Sequence, residues 1–224
     1  MTAFGIINEH VQDQATDYRN LKSLAAGGSG VIYAIEEGKM LKEFPGEGID
    51  VKRQALQRLG PHNSLIPERV RTVRSVIQES KGNEIPLHTK VRWLHDAGEG
   101  TRHMHDHGII HADIGCRDWI VVRERVKIID FDGCSVDGED AGAWYEWFSY
   151  RESCHPISWK TDVFAFGCGI YEVLYAEDQF PEVEDIPLGT MMRGCWDGAF
   201  VSMDELVEEL QASSLATRKV KSCH

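Results

Sequence analysis

The 224-residue sequence has little that would suit it to nucleic acid, to a membrane or to an oxidising compartment. Lys and Arg number 24 against 36 Asp and Glu, a formal charge of −12, and no basic cluster is dense enough to offset repulsion from a phosphate backbone. Nucleic acid is therefore not an expected partner. The most apolar window, VFAFGCGIYEVLYA over 163–176, is fourteen residues long and carries Glu172, short of the roughly 20 that a membrane span needs. It predicts a buried core helix, and no membrane association is expected. Cys116, Cys134, Cys154, Cys168, Cys195 and Cys223 include no C-x-x-C pair, so neither a zinc site nor a disulfide framework is expected. Free thiols fit a reducing compartment. The opening MTAFGIINEHVQDQ lacks the basic start and apolar stretch of a signal peptide. The expectation is an intracellular, cytoplasmic protein.

What is present is ordinary globular material, 42% hydrophobic and 27% charged, in a length that buries a core as one large domain or two packed lobes. Residues 21–44 read as a small strand-rich unit, in which VIYAI and KMLKEF flank a Glu-Glu-Gly turn and a glycine cluster, Gly27, Gly28 and Gly30, precedes the first run. Glycines between strands let a backbone approach a ligand closely and aim N–H groups at phosphate oxygens. Strand alternation sets Lys42 on the face opposite Leu41 and Glu43. Val51, Ala55, Leu56 and Leu59 then recur at helical spacing until Gly60-Pro61. A second helix is predicted over 88–107, with Val91, Leu94, Ala97, Thr101 and Met104 on one face and Gly108 at its C-terminal end. His95, Arg102, His105 and His107 fall largely on its other, surface side. Ser202-x-x-Glu205 is a capping box for a last helix, and the tail after Ser213 is expected to fray.

The strongest chemical signal lies in IIHADIGCRD and the two β-branched runs after it, WIVV (119–122) and VKII (126–129). A three-residue loop, Arg123 to Arg125, would pair Val122 with Val126, Ile120 with Ile128 and Asp118 with Asp130. Opposed residues of such a pair lie roughly 5 Å apart at Cβ, where like charges are destabilising unless something compensates. A divalent cation would compensate, and two hard carboxylates suit magnesium, which completes its shell with water and substrate phosphate. Asp113, five residues before Asp118, is the candidate base. Singly, each Asp is an ordinary turn residue; together, behind an apolar approach strand with His111, they read as a site. The histidines around 103–107 lack a third ligand at zinc-type spacing.

The order AAGGSGVIY (25–33), Lys42, HADIGCRD (111–118), IDFDG (129–133) and TDVFAFG (161–167) resembles the eukaryotic protein kinase domain. The resemblance covers about residues 20–212. It implies an α+β, bilobal fold with a reduced strand-rich N-lobe (about 20–80) and a mainly helical C-lobe (85–212), flanked by terminal extensions 1–19 and 213–224. It also implies ATP and Mg2+ as cofactors and a protein substrate or protein partner, with Ser/Thr hydroxyls favoured over Tyr. Carried over residue by residue, Ala25, Gly27, Gly28, Gly30, Ile32 and Lys42 would bind nucleotide, Asp113 would be catalytic, and Asp118 and Asp130 would hold the metal. His111, Glu152 and Asp162 would be structural supports.

The sequence departs from that template in ways that keep two alternatives open. Ala112 replaces the arginine of the H-R-D motif, Gly115 the lysine two residues after the catalytic Asp, and Asp132 the glycine of D-F-G. Lys52 stands where the helix should offer an acid to Lys42, with Asp50 and Glu47 nearby. The stretches between His62 and His111 and between Asp162 and Trp196 are roughly fifteen to twenty residues shorter than the template leads one to expect. One alternative is a catalytically impaired pseudokinase or binding scaffold. The other is a small-molecule kinase of the aminoglycoside-phosphotransferase type, where H-x-D and I-D-F-D also occur, although Tyr150–Glu152 and Asp162–Gly167 argue against it.

Overall fold

The computed structural model describes residues 22–27, 30–36, 39–43, 49–59, 71–80, 84–143, 145–146, 149–150, 157–175, 183 and 185–221, with the strands before residue 44 and the chain beyond 213 described through their backbone. The strand-rich beginning is an antiparallel sheet of β1 (Lys22–Gly27), β2 (Gly30–Glu36) and β3 (Lys39–Glu43), in that order. Gly27 pairs with Gly30 at the tip of the first hairpin, so the glycine cluster brackets the turn as its composition predicts. Helix α1 (Ile49–Leu59) follows with Ala55 and Leu59 buried.

The rest of the chain is mainly helical, in an α+β arrangement of small antiparallel sheets and helices. β4 (Arg71–Thr72) leads into α2 (Val73–Glu79), neither foreseen from periodicity because the pair is so short. Thr72 starts the helix, its hydroxyl accepting from Ser75 N at 3.1 Å, which satisfies one of the orphan donors of a first turn. Helix α3 (Leu87–Asp106) carries the predicted apolar face inward. It ends at Gly108, which takes φ 70° beside the Asp137 carboxylate; a side chain would suit neither that backbone nor that space. Short β5 (Ile109–Ile110) pairs with β8 (Ser135–Val136), enclosing the β6 (Trp119–Val122) and β7 (Arg125–Ile128) ribbon. Helix α4 (Trp159–Tyr175) is the buried core helix expected of its apolar window; α5 (Gly189–Asp197) packs against it, and α6 (Met203–Lys221) packs against α3.

Close packing around α4 explains its small residues. A Cβ on Gly169 would stand 2.6 Å from the fully buried Trp119 ring, and one on Gly167 would stand 2.5 Å from Cys195 Cβ. The glycines therefore let the β-ribbon and α5 approach the helix backbone. Trp119 and Phe166 meet at 5.2 Å between ring centroids. Cys116, Cys134, Cys168 and Cys195 are free and buried, and burial pushes the Cys134 and Cys168 thiols up to about 12.

Three expectations need correction. The β-ribbon turns on two residues, Arg123 and Glu124, with Val122 opposite Arg125, Val121 opposite Val126 and Trp119 opposite Ile128. Both turn residues have positive φ, 48° and 64°, the geometry that matches the right-handed twist of flanking strands. No Asn-Gly or Asp-Gly pair marks such a turn here. The ribbon is thus shifted by one residue, and Asp118 faces Ile129, whose N–H donates to the Asp118 carbonyl at 2.9 Å. Secondly, His105 is no surface residue, since its side chain is 12% exposed and hydrogen-bonded to a buried Asp. Thirdly, α6 continues to Lys221, since nothing from Ser213 to Lys221 is Gly or Pro. At its start Ser202 accepts from Glu205 N at 3.5 Å, while the Glu205 carboxylate accepts from Val201 N at 2.9 Å.

Candidate active site

The loop from His111 to Asp118 is built around one buried carboxylate from another element. Asp162, in the first turn of α4, is fully buried and accepts from His111 N (2.9 Å), Ala112 N (3.1 Å), His105 Nε2 (2.9 Å) and the Tyr145 hydroxyl (2.6 Å). Burial alone would push its carboxyl up, but the hydrogen bond and charge of His105, with His111 and Tyr145, hold it below the ordinary Asp range. Two adjacent N–H groups on one carboxylate fix a kink in which Ala112 takes φ 65°, a left-handed conformation that costs a non-glycine residue roughly 1–2 kcal/mol. Asp113 is thereby aimed by a contact some fifty residues away. His111 ties the same loop to the ribbon, its Nε2 donating to the Ile129 carbonyl at 2.9 Å with its ring 5.7 Å from Phe131.

The shifted register removes the cross-strand pairing expected of Asp118 and Asp130, although the Asp130 charge still raises the Asp118 carboxyl. Asp130 leaves the strand in a left-handed conformation, φ 66°, so its placement is set by a backbone turn and not by cross-strand pairing. Asp118 is 6% exposed. Burial pushes its carboxyl up to about 6, His111 and Arg117 pull it down, and the negative charge of Asp130 raises it again. A carboxyl so placed gains from any cation that joins the pair. Both are hard oxygen donors, the type magnesium takes, while no group of three or more His, Cys, Asp or Glu able to hold a metal occurs among the described residues. An ion held by Asp118 and Asp130 would complete its shell with water and phosphate oxygens, which is magnesium's habit.

Several residues that sequence reasoning passed over form a charged frame around these acids. Arg117 pairs with Asp113, with Asp118 at 3.3 Å and with Glu146 at 3.2 Å. Glu146 also binds Arg74 at 2.5 and 2.7 Å, and Arg74 in turn binds Glu172 of α4 at 2.5 and 2.9 Å. Burial pushes the Glu146 carboxyl up, but Arg74 and Arg117 bring it below its usual value; the Glu146 hydrogen bond is the main reason the Arg74 guanidinium is raised. The chain α2–Glu146–loop is thus cross-braced by ions from sequence positions far apart. Tyr145 belongs with them, its hydroxyl buried on Thr161 and Asp162. The one sequence hint was that Arg117 lies between two acids of the motif, four residues after Asp113.

The expected nucleotide residues are set by backbone register. Ala25 pairs with Ile32 and Ile32 with Lys42, so three of them occupy a single row across β1, β2 and β3. Gly27 and Gly30 close the hairpin beside that row, while Gly28 and Glu152 lie outside the described residues, as do Trp144 and Trp147. Lys52, which stands where the helix should offer an acid to Lys42, is paired with Asp132 at 2.8 Å.

Residues 63–194 match the family model described as protein tyrosine and serine/threonine kinase. The human protein named MAPK/MAK/MRK overlapping kinase is 25% identical over 157 residues, covering 59% of this chain and 38% of its own length. Its mouse counterpart is 26% identical, with 59% of this chain and 37% of the relative covered. The chain spans well under half the length of these curated relatives.

Proposed function

Because the chain belongs to the protein tyrosine and serine/threonine kinase family, we propose that it is an ATP-dependent protein kinase acting on Ser or Thr hydroxyls of a protein substrate. The domain would run over residues 20–212, with lobes at about 20–80 and 85–212. In this reading Asp113 orients the substrate hydroxyl and accepts its proton. Asp118 and Asp130 hold Mg2+, while Ala25, Gly27, Gly28, Gly30, Ile32 and Lys42 bind the nucleotide. His111, Glu152 and Asp162 support the loop. The ion supplies charge neutralisation on the phosphates; the chain supplies position, on which phosphoryl transfer chiefly relies. The observation that carries the proposal is Asp118, a buried carboxylate raised to about 6 beside a second acid, on a loop whose backbone is clamped by Asp162.

A second reading, a binding scaffold without turnover, is favoured by Arg117, whose guanidinium engages both Asp113 and Asp118 and so competes with a cation at one and a hydroxyl at the other. The discriminating experiment is transfer of radiolabelled phosphate from ATP by purified protein with magnesium or manganese, beside Asp113→Asn and Lys42→Met. Wild-type transfer lost in Asp113→Asn, with nucleotide binding retained, supports the kinase. No transfer, and no thermal stabilisation by millimolar ATP and magnesium, supports the scaffold, since a ligand stabilises only the state it binds. No helix among the described residues is long and apolar enough to cross a membrane, and we place the protein in the cytoplasm.

A further inference from the structure

Two residues that look like separate defects in the sequence, Lys52 and Asp132, meet in the structure. Lys52 Nζ lies 2.8 Å from Asp132 Oδ1, and the two side chains are only 10% and 18% exposed. A lysine that far out of water requires a counter-charge, and an aspartate in its position has the same need. Asp132 is two residues from Asp130, whose backbone is in the left-handed region. Holding Asp132 therefore constrains the peptide that aims Asp130.

The same helix has a second grip on the same segment. Arg58, in the last turn of α1, binds both oxygens of Asp137 at 2.6 and 2.7 Å and the His107 carbonyl at 3.2 Å. Six residues of helix separate Lys52 from Arg58, a rise of roughly 9 Å. The two contacts thus fix the direction of α1 along the 132–137 segment, and in both the helix is the cationic partner.

We propose that Lys52 and Asp132 are a positioning pair for the metal-holding acid Asp130, a direct ionic lock between α1 and the loop that carries it. This rests on the reading of Asp118 and Asp130 as the magnesium site. Both act through Asp130, as outer partners of a metal ligand do.

The test is a charge-swap cycle on the full chain: Lys52→Asp, Asp132→Lys and the double variant, each titrated with a fluorescent ATP analogue with magnesium and in EDTA. Each single variant is expected to weaken magnesium-dependent binding by about 10- to 100-fold, the usual effect of losing an outer partner of a metal ligand. Binding in EDTA should change far less, and the double variant should recover most of the loss. A purely structural pair would lower both affinities in parallel. Parallel losses, unchanged affinity in the single variants, or a double variant no better than the worse single overturns the proposal. If a single variant does not fold, the re-paired double variant decides: magnesium-dependent affinity near wild type supports the lock, and a folded double variant without it refutes the lock. Wild-type protein that binds no nucleotide with magnesium refutes the kinase reading itself and the lock with it.

Discussion

Asp162→Asn should destabilise the protein by an amount that its hydrogen bonds fix. Oδ1 accepts from Ala112 N and Tyr145, Oδ2 from His111 N and His105. An asparagine replaces one of those oxygens with an NH2 group, so two donors then face a donor. Tyr145 can rotate its hydroxyl and His105 can change tautomer, but a backbone N–H can do neither. Whichever way the amide lies, one buried N–H, of His111 or of Ala112, is orphaned. That costs about 1–3 kcal/mol, and losing the charge on the remaining bonds brings the expected total to roughly 2–4 kcal/mol. Because the folded carboxyl is depressed, its contribution is fully present above the unfolded value of about 3.9 and is lost as pH falls through the folded value. Urea denaturation at pH 7 should therefore separate wild type and variant, and the difference should shrink progressively below about pH 4. A difference under about 1 kcal/mol at pH 7, or one that stays constant into acid, would refute this account of the loop.

Arg74→Ala leaves Glu146 and Glu172 without the guanidinium that bridges them; urea denaturation should show a loss of about 2–4 kcal/mol, somewhat below that of a fully buried pair because Arg74 is half-buried. Arg74→Lys should recover only part of it, since a lysine cannot reproduce the fork that binds both acids. Gly169→Ala puts a methyl 2.6 Å from Trp119 and should cost about 1–3 kcal/mol by overpacking, read as a lowered thermal midpoint with a perturbed tryptophan emission.

Much of the architecture was legible in the sequence because periodicity is a local property. The hairpin strands, α1, α3 and the buried α4 follow from apolar spacing, and the acids of the 111–118 and 129–133 motifs identify themselves by residue type and order. The β4–α2 unit escaped because a two-residue strand and a seven-residue helix are shorter than the period needed to see them. The ribbon's register escaped because its turn puts Arg123 and Glu124 at positive φ, where composition favours glycine or asparagine. A slip of one residue turns residues expected to pair to opposite faces, and the left-handed backbone at Asp130, which no sequence pattern announces, takes that residue out of the strand's alternation.

The glycine hairpin, the lysine strand and the three motif acids in kinase order were readable from residue types alone, since each depends on identity at short range. What those residues lean on came from the packing of distant segments. Arg117 bridges Asp113, Asp118 and Glu146, Asp162 reaches back to clamp the backbone at 111 and 112, and Lys52 finds Asp132. Charges removed from water must find partners wherever the fold brings them, and which ones meet is a property of packing rather than of spacing along the chain.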